Sequence, residues 1–478
     1  MRIVLIAYDF PPVPSPQSLR WAYLVRELAL QGHEIHVLTP DLPGYGVGGL
    51  PVIPATVTIH RVYPGPFSAF LRGRQTRSIA PAPAGTVATE VVQQAPPPGQ
   101  SGHAFHELNW KGRVRYRLEN GFSERPVSSL NWKGRLAEKC KAGLSYFLFP
   151  DYRAEWLPWA RKCLHALLED VRPEIVVTSH EPACSLPLGL EAKRLGYKWV
   201  ADLGDPVLAT YTPARWQDRA GELERDVCLK ADLLCVTTEK TAELLEHRHG
   251  AGIARRLVVT QGYDASFVDE PSLAASVTFD ADKLELLYTG SFYSFRRADA
   301  LIDAVASVPG MRLSIGTINA PDYIHRAVAE HPGKFRLLGF LSHRTALSAQ
   351  RRCDVLVNIA NADPVQVPGK VYEYLGAKRP IVHMRGADED ATSELIDAVG
   401  GGWHASAQSG ELAEMLRALK VMKDAGQLPE GAGNPERLVS HSWQRLASLW
   451  SSEALRLSNV ADVDIGGRVV SQVISTRK

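Results

Sequence analysis

A Pro-Gly pair followed by Lys370 and Glu373, in QVPGKVYEYLGAKRPIV (366–382), is the grouping in this chain best suited to chemistry. Pro368 and Gly369 open a short predicted helix, and Pro380, Ile381 and Val382 begin a buried strand directly after it. The first turn of a helix carries unpaired N–H groups and the positive end of the backbone dipole, so it attracts an anion such as a diphosphate. Gly369 lets backbone approach a ligand closely, and Lys370 adds a formal charge. Glu373, three residues on, shares the helix face, where its acceptor-only carboxylate suits two ribose hydroxyls. An ordinary helix start with a surface Lys–Glu pair explains the same residues, and both readings stand at this point.

Two further side chains fall at strand ends. His180 closes the run EIVVTSH and Asp205 follows WVADLG in WVADLGDP. In an open parallel sheet the carboxyl ends of the strands face the ligand crevice. A histidine there can bond a substrate hydroxyl or move a proton, and an aspartate can orient a hydroxyl; the alternative for His180 is a structural role. Asp202 is expected to cap the local turn.

The elements that must hold these residues alternate strand and helix throughout. RIVLIAY is a continuous apolar run, as a parallel strand covered on both faces should be, and LRWAYLVRELALQGH repeats apolar residues at helical spacing. WLPWARKCLHALLEDV, EIVVTSH, LPLGLEAKRLG, KWVADLGDP and DLLCVTT continue the series. It restarts at KLELLYTGSF and runs through MRLSIGT, FRLLGFLS, DVLVNIA and RPIVHM. The fold class expected is α/β: two Rossmann-like domains with parallel sheets facing across a cleft. A final amphipathic helix, SWQRLASLWSSEAL, lies after both.

At 478 residues the chain exceeds one ordinary core, and a content of 45% hydrophobic and 22% charged residues is that of a globular enzyme. A net charge of +2 offers no whole-molecule argument for nucleic acid. The start, MRIVLIAYDF, has too short an apolar run for a signal peptide, and nothing approaches the ~20 residues of a membrane span. Six cysteines without paired spacing read as reduced packing residues. A dehydrogenase is disfavoured because no Gly-x-Gly-x-x-Gly follows the first strand.

Several blocks together resemble the glycosyltransferase family 4 enzymes, which have the two-domain GT-B fold. They are YDFPP (8–12), Arg20-Trp21, FPDYRAEWLPWA, VVTSHEP, WVADLGDP, TQGYD (260–264) and YTGSFYSFRR (288–297). The resemblance covers about residues 1–41, 147–265 and 284–400. It implies retaining transfer of a sugar from a nucleotide-diphosphate donor to a hydroxyl acceptor, in surface polysaccharide or glycoconjugate synthesis, with no obligatory metal or other cofactor. The implied donor contacts are Gly290, Arg297, Phe340, Leu341, Pro368, Gly369, Lys370 and Glu373. The implied catalytic set is His180, Asp205, Arg296, Arg297 and Lys370. Arginines opening the first helix of the second domain would stabilise the charge on the departing diphosphate. GFLSH (339–343) matches the loop beside the nucleotide base. Two departures stand out: Val365 occupies the place of the family's first glutamate, and SPQS (15–18) replaces the usual Gly-Gly. A nucleotide-sugar epimerase and a non-catalytic scaffold subunit on the same fold are the alternatives.

The expected organisation is an acceptor-side domain (1–270), a nucleotide-sugar domain (271–435), the returning helix (436–456) and a tail (457–478). Residues 66–146 read as an insertion, first Pro/Ala/Gly-rich, then basic and aromatic, with LNWKGR repeated at 108–113 and 130–135. Its lysines, arginines and tryptophans suit an anionic membrane surface and a lipid-linked acceptor, giving a cytoplasmic protein peripheral at the inner face of the cell membrane. A solvated loop is the alternative. The acidic stretches DED (388–390) and DVD (462–464) imitate metal sites, but the first suits a helix N-terminus.

Overall fold

The computed structural model describes residues 1–43, 49–69, 143, 147–209, 212–292, 297–318, 320–361, 363–386, 390–406, 409–431 and 433–459. Arg296, most of the predicted insertion and most of the tail lie outside the described residues.

The first domain is a seven-stranded sheet, all parallel, in the order β3-β2-β1-β4-β5-β6-β7. Its strands are β1 (Arg2–Ile6), β2 (Glu34–Pro40), β3 (Thr58–Val62), β4 (Ile175–His180), β5 (Trp199–Leu203), β6 (Leu233–Val236) and β7 (Arg255–Val258). The longer helices are α1 (Pro16–Leu30), α2 (Leu157–Val171), α3 (Leu186–Arg194), α4 (Gln217–Lys230) and α5 (Glu239–His249). The second domain is a parallel six-stranded sheet ordered β10-β9-β8-β11-β12-β13. It uses β8 (Leu284–Thr289), β9 (Met311–Gly316), β10 (Phe335–Gly339), β11 (Val355–Ile359), β12 (Ile381–Met384) and β13 (Gly402–Ala405). Around it lie α6 (Asp299–Ser307), α7 (Asp322–Glu330), α8 (His343–Arg352), α9 (Gly369–Ala377), α10 (Ala391–Val399) and α11 (Ser409–Asp424). In each sheet the chain order reverses beside the first strand, β1 or β8, which opens a crevice at the strand ends.

Local sequence explains the helix starts. Ser15 caps α1 by accepting the Ser18 amide at 3.0 Å, and Pro16 occupies the first turn, where its missing N–H costs nothing. The last helix, α12 (Trp443–Asn459), returns to the first domain and packs on α1. Trp443, Leu446, Ala447, Trp450 and Ala454 join Trp21, Leu24 and Leu28 in one buried cluster.

Asp202 does not cap a turn. Its carboxylate is buried and takes the Arg20 fork at 3.0 and 2.8 Å and the Trp21 indole at 3.0 Å. Arg20 also donates to the Thr260 carbonyl at 2.8 Å, so the Arg-Trp pair of α1 ties β5 to the connector between domains.

Asp390 of the acidic stretch does sit at a helix start. It caps α10 by accepting the Ser393 amide at 2.8 Å, with the His383 ring 3.3 Å away. Burial pushes this carboxyl up, but the His383 and Ser393 contacts outweigh burial and hold it at about 2. A depressed carboxyl stabilises fully above its unfolded value near 4 and loses that contribution as pH falls through the folded one. Asp390→Ala is therefore expected to cost about 0.5–2 kcal/mol at neutral pH in urea denaturation. The difference from the parent should shrink as the pH approaches about 2; a cost that persists there would show that the charge is not its source. Among the described residues no group of side chains has the makings of a metal site, and no helix is long and apolar enough to cross a membrane. Cys163 is half-buried, and Cys184, Cys228, Cys235 and Cys353 are buried free thiols.

Candidate functional site

The crevice at the end of β8 holds a cavity of about 360 Å³ with walls from both domains. The first domain supplies Pro14, Ser15, Pro16, Leu19 and Leu50; the connector supplies Gln261 and Gly262. From the second domain come the strand ends Thr289, Gly290 and Gly316 and the loop residues Phe340 and Leu341. Helices α8 and α9 add His343, Gln350, Gly369, Lys370 and Glu373.

Helix α9 presents the features that its sequence promised. Pro368 stands before it in extended backbone and makes no side-chain cap, so the first-turn amides receive no side-chain acceptor from that position. A Cβ on Gly369 would meet only the Gln261 side chain at 3.6 Å, an ordinary contact. Lys370 reaches toward the end of β8, its Nζ 3.9 Å from the centre of the Tyr288 ring, a cation–π position. Gly290 sits beside it at φ +135°, where a Cβ would lie 3.5 Å from Lys370 Nζ. Only glycine takes that backbone without strain, and its bareness keeps the ammonium's side of the cavity open. The Tyr288 hydroxyl is tied to the Ser291 carbonyl at 2.9 Å, and Tyr374 accepts the Thr289 amide at 2.9 Å, so the floor is fixed.

Glu373 points into the same cavity. Gln350 Nε2 lies 3.5 Å from one of its oxygens and His343 Nδ1 3.7 Å from the other. Gln350 also donates to Thr289 Oγ1 at 3.1 Å. The cavity thus carries an ammonium, a helix start and a carboxylate, with the exposed Phe340 ring and Leu341 adding apolar lining.

The remaining sequence-expected residues stand elsewhere. Arg297 is not in the cavity wall: its guanidinium is exposed, forked on Asp299 at 2.7 Å and stacked over Tyr323 at 4.9 Å. The reason is local, since an aspartate in the first turn of α6 is the nearest counter-charge. Arg296 lies outside the described residues. Pro368 sets the helix start without lining the cavity. His180 is buried at 3% exposure at the end of β4, and its Nδ1 meets no hydrogen-bond partner among the described residues. Burial lowers the ring's pKa against the opposing pull of Glu181 and of the Asp205 backbone, which favours the neutral imidazole. Asp205 accepts a hydrogen bond from Gln366 Nε2 at 2.9 Å, joining the first domain to the loop before α9.

Sequence reasoning assigned nothing to Gln261, Gly262, His343 or Gln350. The first two lie in TQGYD, a stretch whose signal named no side chain, and the third ends GFLSH, where only Phe340 and Leu341 were named.

No protein-family model and no curated protein matches the chain. Solved structures do. Sucrose-phosphate synthase from Thermosynechococcus elongatus superposes with TM-score 0.62 at 14% identity, covering 96% of this chain and 99% of its own. A structure described as trehalose-6-phosphate from E. coli bound with UDP-2-fluoro glucose gives 0.53 at 12%, covering 96% and 100%. A putative UDP-N-acetylglucosamine 2-epimerase from Listeria monocytogenes gives 0.50 at 12%, covering 96% and 97%. Identities this low speak for architecture alone. The chain has the GT-B fold, two Rossmann-like domains whose parallel sheets face each other across a cleft, with the last helix returning to the first domain.

Proposed function

We propose that this chain is a glycosyltransferase that moves a sugar from a nucleotide-diphosphate donor to a hydroxyl acceptor. The observation that carries the reading is the convergence of Lys370, the α9 start, Gly290 and Glu373 on one cavity between the domains. The diphosphate lies against the α9 amides and Lys370, the ribose hydroxyls donate to Glu373, and the base rests on Phe340 and Leu341. As the glycosidic bond to the diphosphate breaks, negative charge grows on the leaving oxygen, and a fixed ammonium and helix start stabilise it. That supply of positive charge is the reason to read the reaction as metal-independent. His180, buried and held neutral, has the chemistry to accept a proton from, or hydrogen-bond to, a hydroxyl; Asp205 orients the acceptor. Arg297 would have to leave Asp299 to reach the diphosphate, and an exposed ion pair opposes that move only weakly. The motif resemblance supports a retaining family 4 enzyme of surface polysaccharide or glycoconjugate synthesis with a glycan or lipid-linked acceptor, and the basic, aromatic composition of the insertion at 66–146 supports contact with an anionic membrane.

A thermal-shift screen with UDP-, GDP-, ADP- and dTDP-sugars tests it. A donor at a hundred times its dissociation constant should stabilise the fold by about 2.7 kcal/mol, and no shift with any donor would sink the reading. An epimerase, favoured by the Listeria monocytogenes likeness in fold, would instead convert UDP-sugar with no acceptor present.

A further inference from the structure

Among the residues that wall the cavity, His343 is held from the opposite domain. Tyr23 of α1 lies within hydrogen-bond distance of its Nε2, at 3.1 Å, and its Nδ1 faces Glu373 Oε1 at 3.7 Å, beyond hydrogen-bond length but within ion-pair range. Both His343 and Glu373 are largely buried, with side chains 13% and 14% exposed. Tyr23 is itself held by two neighbours. Its ring stacks on Trp443 at 5.4 Å with an 8° tilt, and the Arg26 guanidinium lies 4.8 Å above it. Arg26 is in turn forked on Asp264 of the connector at 2.9 and 3.0 Å. Burial, with the carboxylates of Asp264 and Glu373, pushes the Tyr23 phenol well above its ordinary value, so the hydroxyl keeps its proton and can donate to Nε2, and a carboxylate facing Nδ1 favours the tautomer that leaves Nε2 free to accept. An imidazole that accepts at Nε2 carries its hydrogen on Nδ1 in the neutral form, directed at Glu373.

We infer that His343 is a positioning residue, clamped by Tyr23 of the first domain, that aims the Glu373 carboxylate at the donor's ribose. This rests on the reading of Glu373 as the ribose contact. Tyr23 reaches His343 from the other domain, so the ribose contact depends on how the two domains meet. Removing either member frees the carboxylate to turn, and discrimination for the 2′-hydroxyl falls while the diphosphate contacts at Lys370 stay intact.

The test is calorimetric binding of UDP, ADP and GDP and of their 2′-deoxy forms to the full chain. The parent should prefer the ribose form of whichever diphosphate it binds. His343→Ala should weaken the ribose form about tenfold and leave the deoxy form unchanged, since a hydrogen bond to a charged group is at stake. Tyr23→Phe, which removes one hydroxyl and is the milder change should His343→Ala not fold, should move the preference the same way. The double variant should be no worse than His343→Ala alone. His343→Asn, whose amide nitrogen takes the place of Nδ1, should recover part of the preference. Equal weakening of ribose and deoxy forms, or a Tyr23→Phe variant with the parent's preference, would overturn the inference and leave the proposed function standing. A parent that binds diphosphates without regard to the 2′-hydroxyl would remove the ribose role of Glu373, and one that binds none would remove both.

Discussion

Replacing Lys370 with alanine will cut the turnover number by about 10²–10³-fold, the loss seen when one preorganised charge-stabilising group is taken from a transition state. The ammonium stands 3.9 Å from the Tyr288 ring and beside the bare backbone of Gly290, in a cavity walled by both domains. Charge on the leaving diphosphate is greatest in the transition state, so the variant should lose kcat more than donor affinity. Lys370→Arg is expected to rescue poorly. A planar guanidinium is larger than an ammonium, and the aromatic floor and Gly290 leave space shaped for a point charge. The measurement is steady-state transfer from the donor that the thermal screen selects, with circular dichroism confirming that the variant folds. A kcat within threefold of the parent would remove Lys370 from the chemistry.

The second large effect is on stability. Arg20 and Asp202 form an ion pair whose side chains are 0% and 1% exposed. Arg20→Met leaves the Asp202 carboxylate buried with only the Trp21 indole as a described partner, and also strips the Thr260 carbonyl of its donor. Breaking a buried pair from one side costs about 3–5 kcal/mol, most of it the desolvation of the charge left behind. Guanidinium denaturation should therefore shift its midpoint sharply downward. Arg20→Met combined with Asp202→Leu should recover part of the loss, because no charge then remains buried. If the single variant loses less than about 1 kcal/mol, the pair is not what fixes α1 to the connector.

The residues grouped within one helix turn were readable in advance. Gly369, Lys370 and Glu373 share a face because three residues make nearly one turn, and that geometry needs no tertiary information. Doubly covered strands such as β1 and β6 were equally clear, since their burial on both faces demands unbroken apolar runs. The edge strands β3 and β13 went unnoticed. TIHRV has no fully buried residue and GWHA has four residues, so neither offers a long apolar run or a clean alternation. The helix α11 was missed as well, its apolar positions interrupted by charge.

Sequence by itself settled the alternation of strands and helices, and hence two parallel sheets, because hydrophobic period is dictated by the burial of each local element. It also placed a lysine, a carboxylate and an open helix start together. Which distant side chains meet them was decided by packing alone. Tyr23 and His343 lie 320 residues apart and meet where the two domains pack, with Trp443 of α12 stacked on the Tyr23 ring, while Arg297 answers to an aspartate two residues away. A charge takes the counter-charge nearest in space, and sequence gives that distance only within a turn or two of helix.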